Sequence, residues 1–560
     1  MDDMKKKSYK LIVSLSLCCL IIFVTFFLIC RMRQDPDAPD AHTTFTHNGV
    51  TYLGQGWGIT ERQQLSFTSF GSHIINYAWF IALEDAQSEQ LFRNNSHMTQ
   101  LGFITEPANQ FNPDGLPIGV VRDSDDKDNI WVGLTCAACH TGQITINSQP
   151  IRIDGGQSLI NYTQFEIELL AALNATLTQP EKWQRFIARL QQAQKNIDVN
   201  RVKQQIETRA RELDIRYAIN ATQVPYGYGR LDAFGQIFNA IAVEVLHIPE
   251  NKRAPNAPTS FPVLWDASHL DVVQWNGTAP NMEPGPLVQN ATTALAVYGT
   301  VDVLGHGQTY PSSIHVKNLG YIQRKFYKLS APQWPKDLAG KLDKKLIKQG
   351  ETIYQKQCLQ CHTLVNAKNS ERLLSAVLVP ITEVGTDALM ANNFSEGNVK
   401  TGELEGKHFA LWFGKKFKPE ATHLDVVMHV VVSALLYHPW DSLCSIIKEF
   451  AHTTSSNANP TIQYYKARPI NGIWASAPYL HNGSVPTVYD LLLPAAQRPT
   501  QFFVGNRELD RVKVGNQTLE AENVSLFDTS LQGNSNGGHE YGTQLTEPDR
   551  MALLEYIKSL

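Results

Sequence analysis

Cys136, Cys139 and His140, and again Cys358, Cys361 and His362, form two Cys-x-x-Cys-His pentads. Thiols at this spacing take up the two vinyl groups of a haem as thioethers, and the adjoining His meets the iron as proximal ligand. Zinc and thioredoxin-like redox sites also use Cys-x-x-Cys, but neither calls for a His directly after the second Cys at both places. The pentads therefore predict two covalently bound haem c groups, each with its iron. Of the 8 Cys in 560 residues, Cys18, Cys19 and Cys30 fall in the first apolar segment and only Cys444 is left over. No disulfide framework is expected, and Cys444 beside Leu443 reads as a small buried hydrophobe.

A proximal His leaves one axial position on each iron, and its occupant decides between electron transfer and chemistry. Residues 141–246 contain neither His nor Met, so the first iron is expected to be open. His73, Met98, His247, His269 and Met282 are the more distant alternatives. The second unit offers His539, in Gly537-Gly538-His539-Glu540-Tyr541-Gly542, and His481, in Pro478-Tyr479-Leu480-His481-Asn482-Gly483. Only one can oppose His362. His539 is expected to do so because its glycines let backbone approach a porphyrin closely; His481 is expected to line the haem and bond a propionate or the haem interface. The metal ligands are then His140, His362 and His539.

The elements that must hold these residues are mainly α. Residues 343–357 carry Leu346, Ile347, Gly350, Ile353 and Tyr354 on one helical face and run straight into Cys358. Thr546-Glu547-Pro548-Asp549 resembles a capping box, and Leu553, Ile557 and Leu560 make the stripe of a closing helix. Residues 180–213, rich in Gln, Arg, Glu and Lys with Trp183, Phe186, Ile187 and Leu190 at helical spacing, read as an amphipathic excursion on the surface. Phe234, Phe261, Trp265 and Trp275 read as core aromatics, and Glu166 and Glu168 as surface charge.

Residues 11–30 are uncharged and, at 1.5 Å per residue, reach about the 30 Å of a bilayer core. Lys5, Lys6, Lys7 and Lys10 precede them, so the amino end is expected in the cytoplasm and the haem domains in the periplasm, anchored in the inner membrane by a single pass. The expected organisation is a cytoplasmic tip and transmembrane anchor at 1–33, a tether at 34–47, a first haem domain at 48–330 and a second at 331–560. The break falls at Leu329-Ser330-Ala331-Pro332-Gln333-Trp334-Pro335. Long loops and few short strands complete the expected fold. A net charge of only −4, with no basic stripe, excludes nucleic acid as a partner.

The ordered set of both pentads, Ala477-Pro478-Tyr479-Leu480-His481-Asn482-Gly483-Ser484 and the closing helix resembles the bacterial dihaem cytochrome c peroxidase superfamily. Gly133-Leu134-Thr135, Arg468-Pro469-Ile470-Asn471-Gly472-Ile473-Trp474 and Gly538-His539 look more like its rubber oxygenase-like branch. In the peroxidases, the resemblance implies, one haem reduces hydrogen peroxide while the other passes in electrons from a small donor protein. In the oxygenases it implies that the amino-terminal haem holds O2 in an apolar pocket and the other is a bis-His relay. No Met lies near the second pentad, a departure from the typical peroxidase relay.

Three readings follow. A peroxidase-like oxidoreductase, with His140 on the reactive iron, requires an acid–base group beside it. An oxygenase cleaving an apolar alkene-type compound requires an apolar distal pocket. A non-catalytic electron carrier requires both irons six-coordinate.

Overall fold

The computed structural model describes residue 25 and residues 38–560, other than 283, 367–368, 370–371, 396, 411 and 448–462. The expected fold needs correcting in its strand content: the chain is 40% helix and 16% strand. The described strands form nine small sheets, one of four strands, one of three and the rest paired ribbons.

Two of these sheets frame the first pentad. Ile130–Leu134 pairs antiparallel with Val120–Ser124 and Ile75–Asn76. Thr141–Ile146 pairs antiparallel with Gln149–Asp154, which runs parallel to Val50–Tyr52. The helix Cys136–His140 is spliced between these sheets, capped by the Thr135 hydroxyl accepting from the Ala137 N–H. Four of the six residues of Thr141–Ile146 are β-branched and burial alternates from Gly142 on, a strand signal that the expectation of loops around the haems passed over.

The second pentad is delivered as expected by a helix, Lys344–Gln357, whose first N–H groups are capped by Asp343. It packs against the closing helix Glu547–Ser559, capped by Thr546. Gly350 is where the two backbones meet: a Cβ there would stand 2.0 Å from the Ala552 carbonyl oxygen. One turn on, the Tyr354 and Tyr556 rings lie 5.2 Å apart. Residues 180–213 fall mainly, as expected, in amphipathic helices. Pro180–Ala193 buries Phe186, Ile187 and Leu190, which join Met98, Phe165 and Leu213 in a core against which Cys139 packs. A further core draws Trp57, Ile151 and Trp265 together with Tyr354, Trp474 and Leu553.

The expected anchor at 11–30 lies outside the described residues. Among the described residues no helix is long and apolar enough to cross a membrane. The apolar helix His423–Tyr437 has 15 residues, about 22 Å against the roughly 30 Å of a bilayer core, and the longer Val199–Ile219 is studded with charge. The single-pass inner-membrane anchor and the periplasmic placement drawn from it are corrected accordingly: the fold described is that of the haem-binding body. Cys444 also departs from expectation, being disulfide-bonded.

Gly350→Ala forces apart two helices whose backbones touch. It is expected to cost about 1–3 kcal/mol, read as a lower unfolding midpoint in thermal denaturation.

Candidate functional site

Each pentad histidine is oriented by a backbone carbonyl. His140 Nδ1 lies 2.9 Å from the Pro262 carbonyl oxygen, and His362 Nδ1 lies 2.7 Å from that of Arg468. A carbonyl only accepts, so Nδ1 carries the proton and Nε2 is left as the metal-binding nitrogen. Burial pushes the His140 pKa down to about 4 and lowers that of His362, keeping both rings neutral and able to ligate. The Tyr354 hydroxyl adds a 2.7 Å bond to the His362 carbonyl, fixing the end of the pentad to the helix before it.

The two carbonyl-bearing segments interlock. Arg468 donates from one guanidinium nitrogen to the Val263 carbonyl and from the other to that of Trp265, both at 2.8 Å. Asn471 Nδ2 bonds the Asp266 carboxylate, and Trp265 Nε1 returns a 2.9 Å bond to the Asn471 carbonyl. Asp266 is also held by Arg372. The segment around Phe261 and Trp265, read as core, and residues 468–474, which carried the resemblance, thus form one joint between the pentads.

None of the four pentad cysteines is in a disulfide, so all four are available as tethers. Burial pushes Cys136 and Cys139 up to about 12 and Cys358 up to about 11. Burial of this kind suits an apolar slot for a porphyrin. Among the described residues no three His, Cys, Asp or Glu side chains gather as a metal-holding group.

The two carboxyl-end histidines separate cleanly. The His539 ring centre lies 6.2 Å from that of His362, the planes inclined at 48°. A metal–imidazole bond of about 2 Å and about 1.1 Å from nitrogen to ring centre put two trans imidazoles about 6.2 Å apart. The spacing therefore fits an iron between them. His539 adopts φ +50 directly after Gly538 at φ +73, where a Cβ would strike the Gly385 carbonyl carbon at 2.2 Å. Its N–H bonds the Val384 carbonyl at 2.7 Å. Arg498, which the sequence did not single out, gathers the carbonyls of Asn536, Gly538 and His539. Burial, then the neighbouring His362 and Arg498, take the His539 pKa down to about 3.

His481 instead stacks on Tyr465, ring centres 4.2 Å apart, with Nε2 3.1 Å from the tyrosine oxygen. Tyr465 spends its own hydrogen on the Asp387 carbonyl at 2.7 Å, so His481 is the donor. Its backbone carbonyl accepts from Ser260 N–H at 2.8 Å, joining it to the segment that orients His140.

Around His140 the surroundings are mixed. Phe261, one of the aromatics read as core, has its ring centre 6.5 Å from that of His140; Trp265 is fully buried, while Phe234 and Trp275 are only partly so. A cleft lined by Cys136 and His140 also takes in Arg62, Glu106, Arg152 and Asp154. Burial, against the pull of Arg152, raises the Glu106 pKa, and burial, against Arg62, raises that of Asp154. Of the distant axial candidates, His73 Nε2 is 3.1 Å from Asp123, and both ring nitrogens of His269 sit within 3.0 Å of carbonyl oxygens. His247 and Met282 are exposed, and Met98 lies in the core beside Cys139.

Glu166 corrects the reading as surface charge. It is buried, accepts from the Tyr298 hydroxyl, and burial, opposed by Arg216, pushes it up to about 7. Glu168 pairs with His97 at 2.6 Å.

Residues 464–503 match the RoxA-like, cytochrome c-like family, which supports the rubber oxygenase-like resemblance and leaves the dihaem peroxidase superfamily unconfirmed. The match covers the Arg468–Asn471 side of the joint and His481. A cytochrome c-like unit implies covalent haem c with its iron, and with it a haem oxidoreductase. The chain is also similar to two proteins of Sinorhizobium fredii (strain NBRC 101917 / NGR234). The uncharacterized protein y4iJ is 29% identical over the whole of both chains. The uncharacterized protein y4iM is 25% identical over 52% of this chain and 60% of its own length.

Between the ordinary carboxyl value of 4.5 and about 7, folded protein keeps a proton on Glu166 that the unfolded chain has released, so stability falls as pH rises through that window. Glu166→Gln is expected to flatten this loss by on the order of 1–3 kcal/mol, checked by urea unfolding of both proteins at acid and alkaline pH.

Proposed function

We propose that the protein is a dihaem c-type oxidoreductase of peroxidase-like action, in which the haem tethered at Cys136 and Cys139 reacts with peroxide and the haem tethered at Cys358 and Cys361 relays electrons from a small donor protein. The observation that carries this reading is the unequal surroundings of the two proximal histidines. His362 faces His539 at the 6.2 Å expected of a doubly ligated iron, whereas the ring packed against His140 is that of Phe261, 6.5 Å away, which cannot ligate. His140, His362 and His539 are then the iron ligands, and His481 lies beside the joint without ligating.

Haem iron supplies the redox chemistry itself. The chain's contribution is to keep the three imidazoles neutral, to exclude water from the tethers, and to offer a proton-carrying group near the reactive iron. The cleft that reaches His140 contains Glu106, whose burial favours the protonated carboxyl, 3.6 Å from the cation Arg152. Such a pair of acid and cation suits a polar oxidant better than an apolar one.

The match to the RoxA-like family favours a second reading, oxygenation of an apolar alkene-type compound with O2. The two part on one experiment. Haem-loaded protein with a pre-reduced small donor is expected to consume hydrogen peroxide, and Glu106→Gln to slow that turnover about 100-fold with unchanged haem spectra. Oxygen uptake with cleavage of an alkene and no peroxide turnover would replace the peroxidase reading with the oxygenase one. Two irons indifferent to peroxide, cyanide and carbon monoxide would leave an electron carrier.

A further inference from the structure

Arg468 supplies the orienting partner of His362 and braces the segment that carries the orienting partner of His140. Its carbonyl accepts from His362 Nδ1 at 2.7 Å. Its guanidinium holds the carbonyls of Val263 and Trp265, each at 2.8 Å, and Val263 follows Pro262, whose carbonyl accepts from His140 Nδ1 at 2.9 Å. The two pentads are 222 residues apart, from His140 to His362, yet three hydrogen bonds and one side chain connect their imidazoles.

We propose that Arg468 is a positioning residue that couples the two haem sites, setting the donor strength of His140 through its side chain and that of His362 through its backbone. The inference rests on the two-haem reading above. A planar guanidinium can reach two carbonyls two residues apart at once, because alternate carbonyls of an extended segment face the same way. Lysine carries the same charge but, as a point donor on a flexible stem, cannot span both. Burial lowers the Arg468 pKa only to about 10, so the group is cationic at neutral pH.

The hydrogen bond from Nδ1–H to a carbonyl makes a ligating imidazole more basic and favours the oxidised iron. Loosening the 262–265 segment weakens that bond at His140. The carbonyl that serves His362 is main chain and stays whatever the side chain becomes. The asymmetry is specific to this arrangement: a side chain located beside the second haem controls the ligand of the first.

Arg468→Lys in the full, haem-loaded chain tests it, with Asn471→Ala as companion. Asn471 braces the same joint through Asp266 without touching either carbonyl that Arg468 holds. Expected for Arg468→Lys are a lower iron–histidine stretching frequency in the resonance Raman spectrum of the reduced first haem, an upward shift of that haem's midpoint potential, and an unmoved second midpoint. Asn471→Ala is expected to lower thermal stability while both haems keep wild-type signatures. The proposal is overturned if Arg468→Lys leaves the first haem's frequency and midpoint unchanged, or if Asn471→Ala shifts them equally. Should Arg468→Lys fail to fold, arginine-labelled wild type decides: the Arg468 guanidinium N–H signals are expected to be protected from exchange and to respond to reduction of the first iron, and solvent-exchanging signals indifferent to it would overturn the proposal. Haem stoichiometry keeps the premise separate, since one haem per chain would overturn the two-haem reading itself.

Discussion

An imidazole that binds metal through Nε2 carries its proton on Nδ1, and at both pentads a main-chain carbonyl accepts from that Nδ1–H and fixes the ring. The requirement propagates outward. A carbonyl is useful only if its peptide is immobile, and the peptides concerned lie in irregular chain, not in a helix or a sheet. They are immobilised by each other: Arg468 on Val263 and Trp265, Asn471 on Asp266, Trp265 on Asn471. The sheets that bracket Cys136–His140 and the helix pair that delivers Cys358 bring these segments to the same place.

Burial does the rest of the electrostatic work. Desolvation disfavours the charged form of every group it encloses, so it holds His140, His362, His481 and His539 neutral. Neutral imidazoles ligate; a buried imidazole without metal or hydrogen-bond partner is a cost. His481 offsets that cost through Tyr465 and His140 through Pro262. For His539 the proposed iron would offset it, and its loop, with two successive residues at positive φ, is clamped by Arg498.

What could be read from the residues was the chemistry carried by side chains. The pentads, the helix entering Cys358 and the closing helix with its Thr546 cap have signatures in residue type and period. Gly538-His539 was legible because only glycine accepts so close a backbone approach. The partners of His140 and His362 were not legible, because a carbonyl acceptor has no identity in a sequence: Pro262 and Arg468 contribute main chain. Strands of two to six residues fall below the length at which alternation stands out, so the sheets around the first pentad were passed over. Glu166 was taken for surface charge because a carboxylate usually is, and only the fold places Tyr298 and Arg216 against it.

The central claim is that the second iron is closed by His539 and not by His481 or a thioether. Near-infrared magnetic circular dichroism of the oxidised, haem-loaded protein reads axial ligand pairs directly. The account predicts a bis-imidazole band for one haem that survives His481→Ala and disappears in His539→Ala. A histidine–methionine band, or a bis-imidazole band abolished by His481→Ala and untouched by His539→Ala, would contradict it.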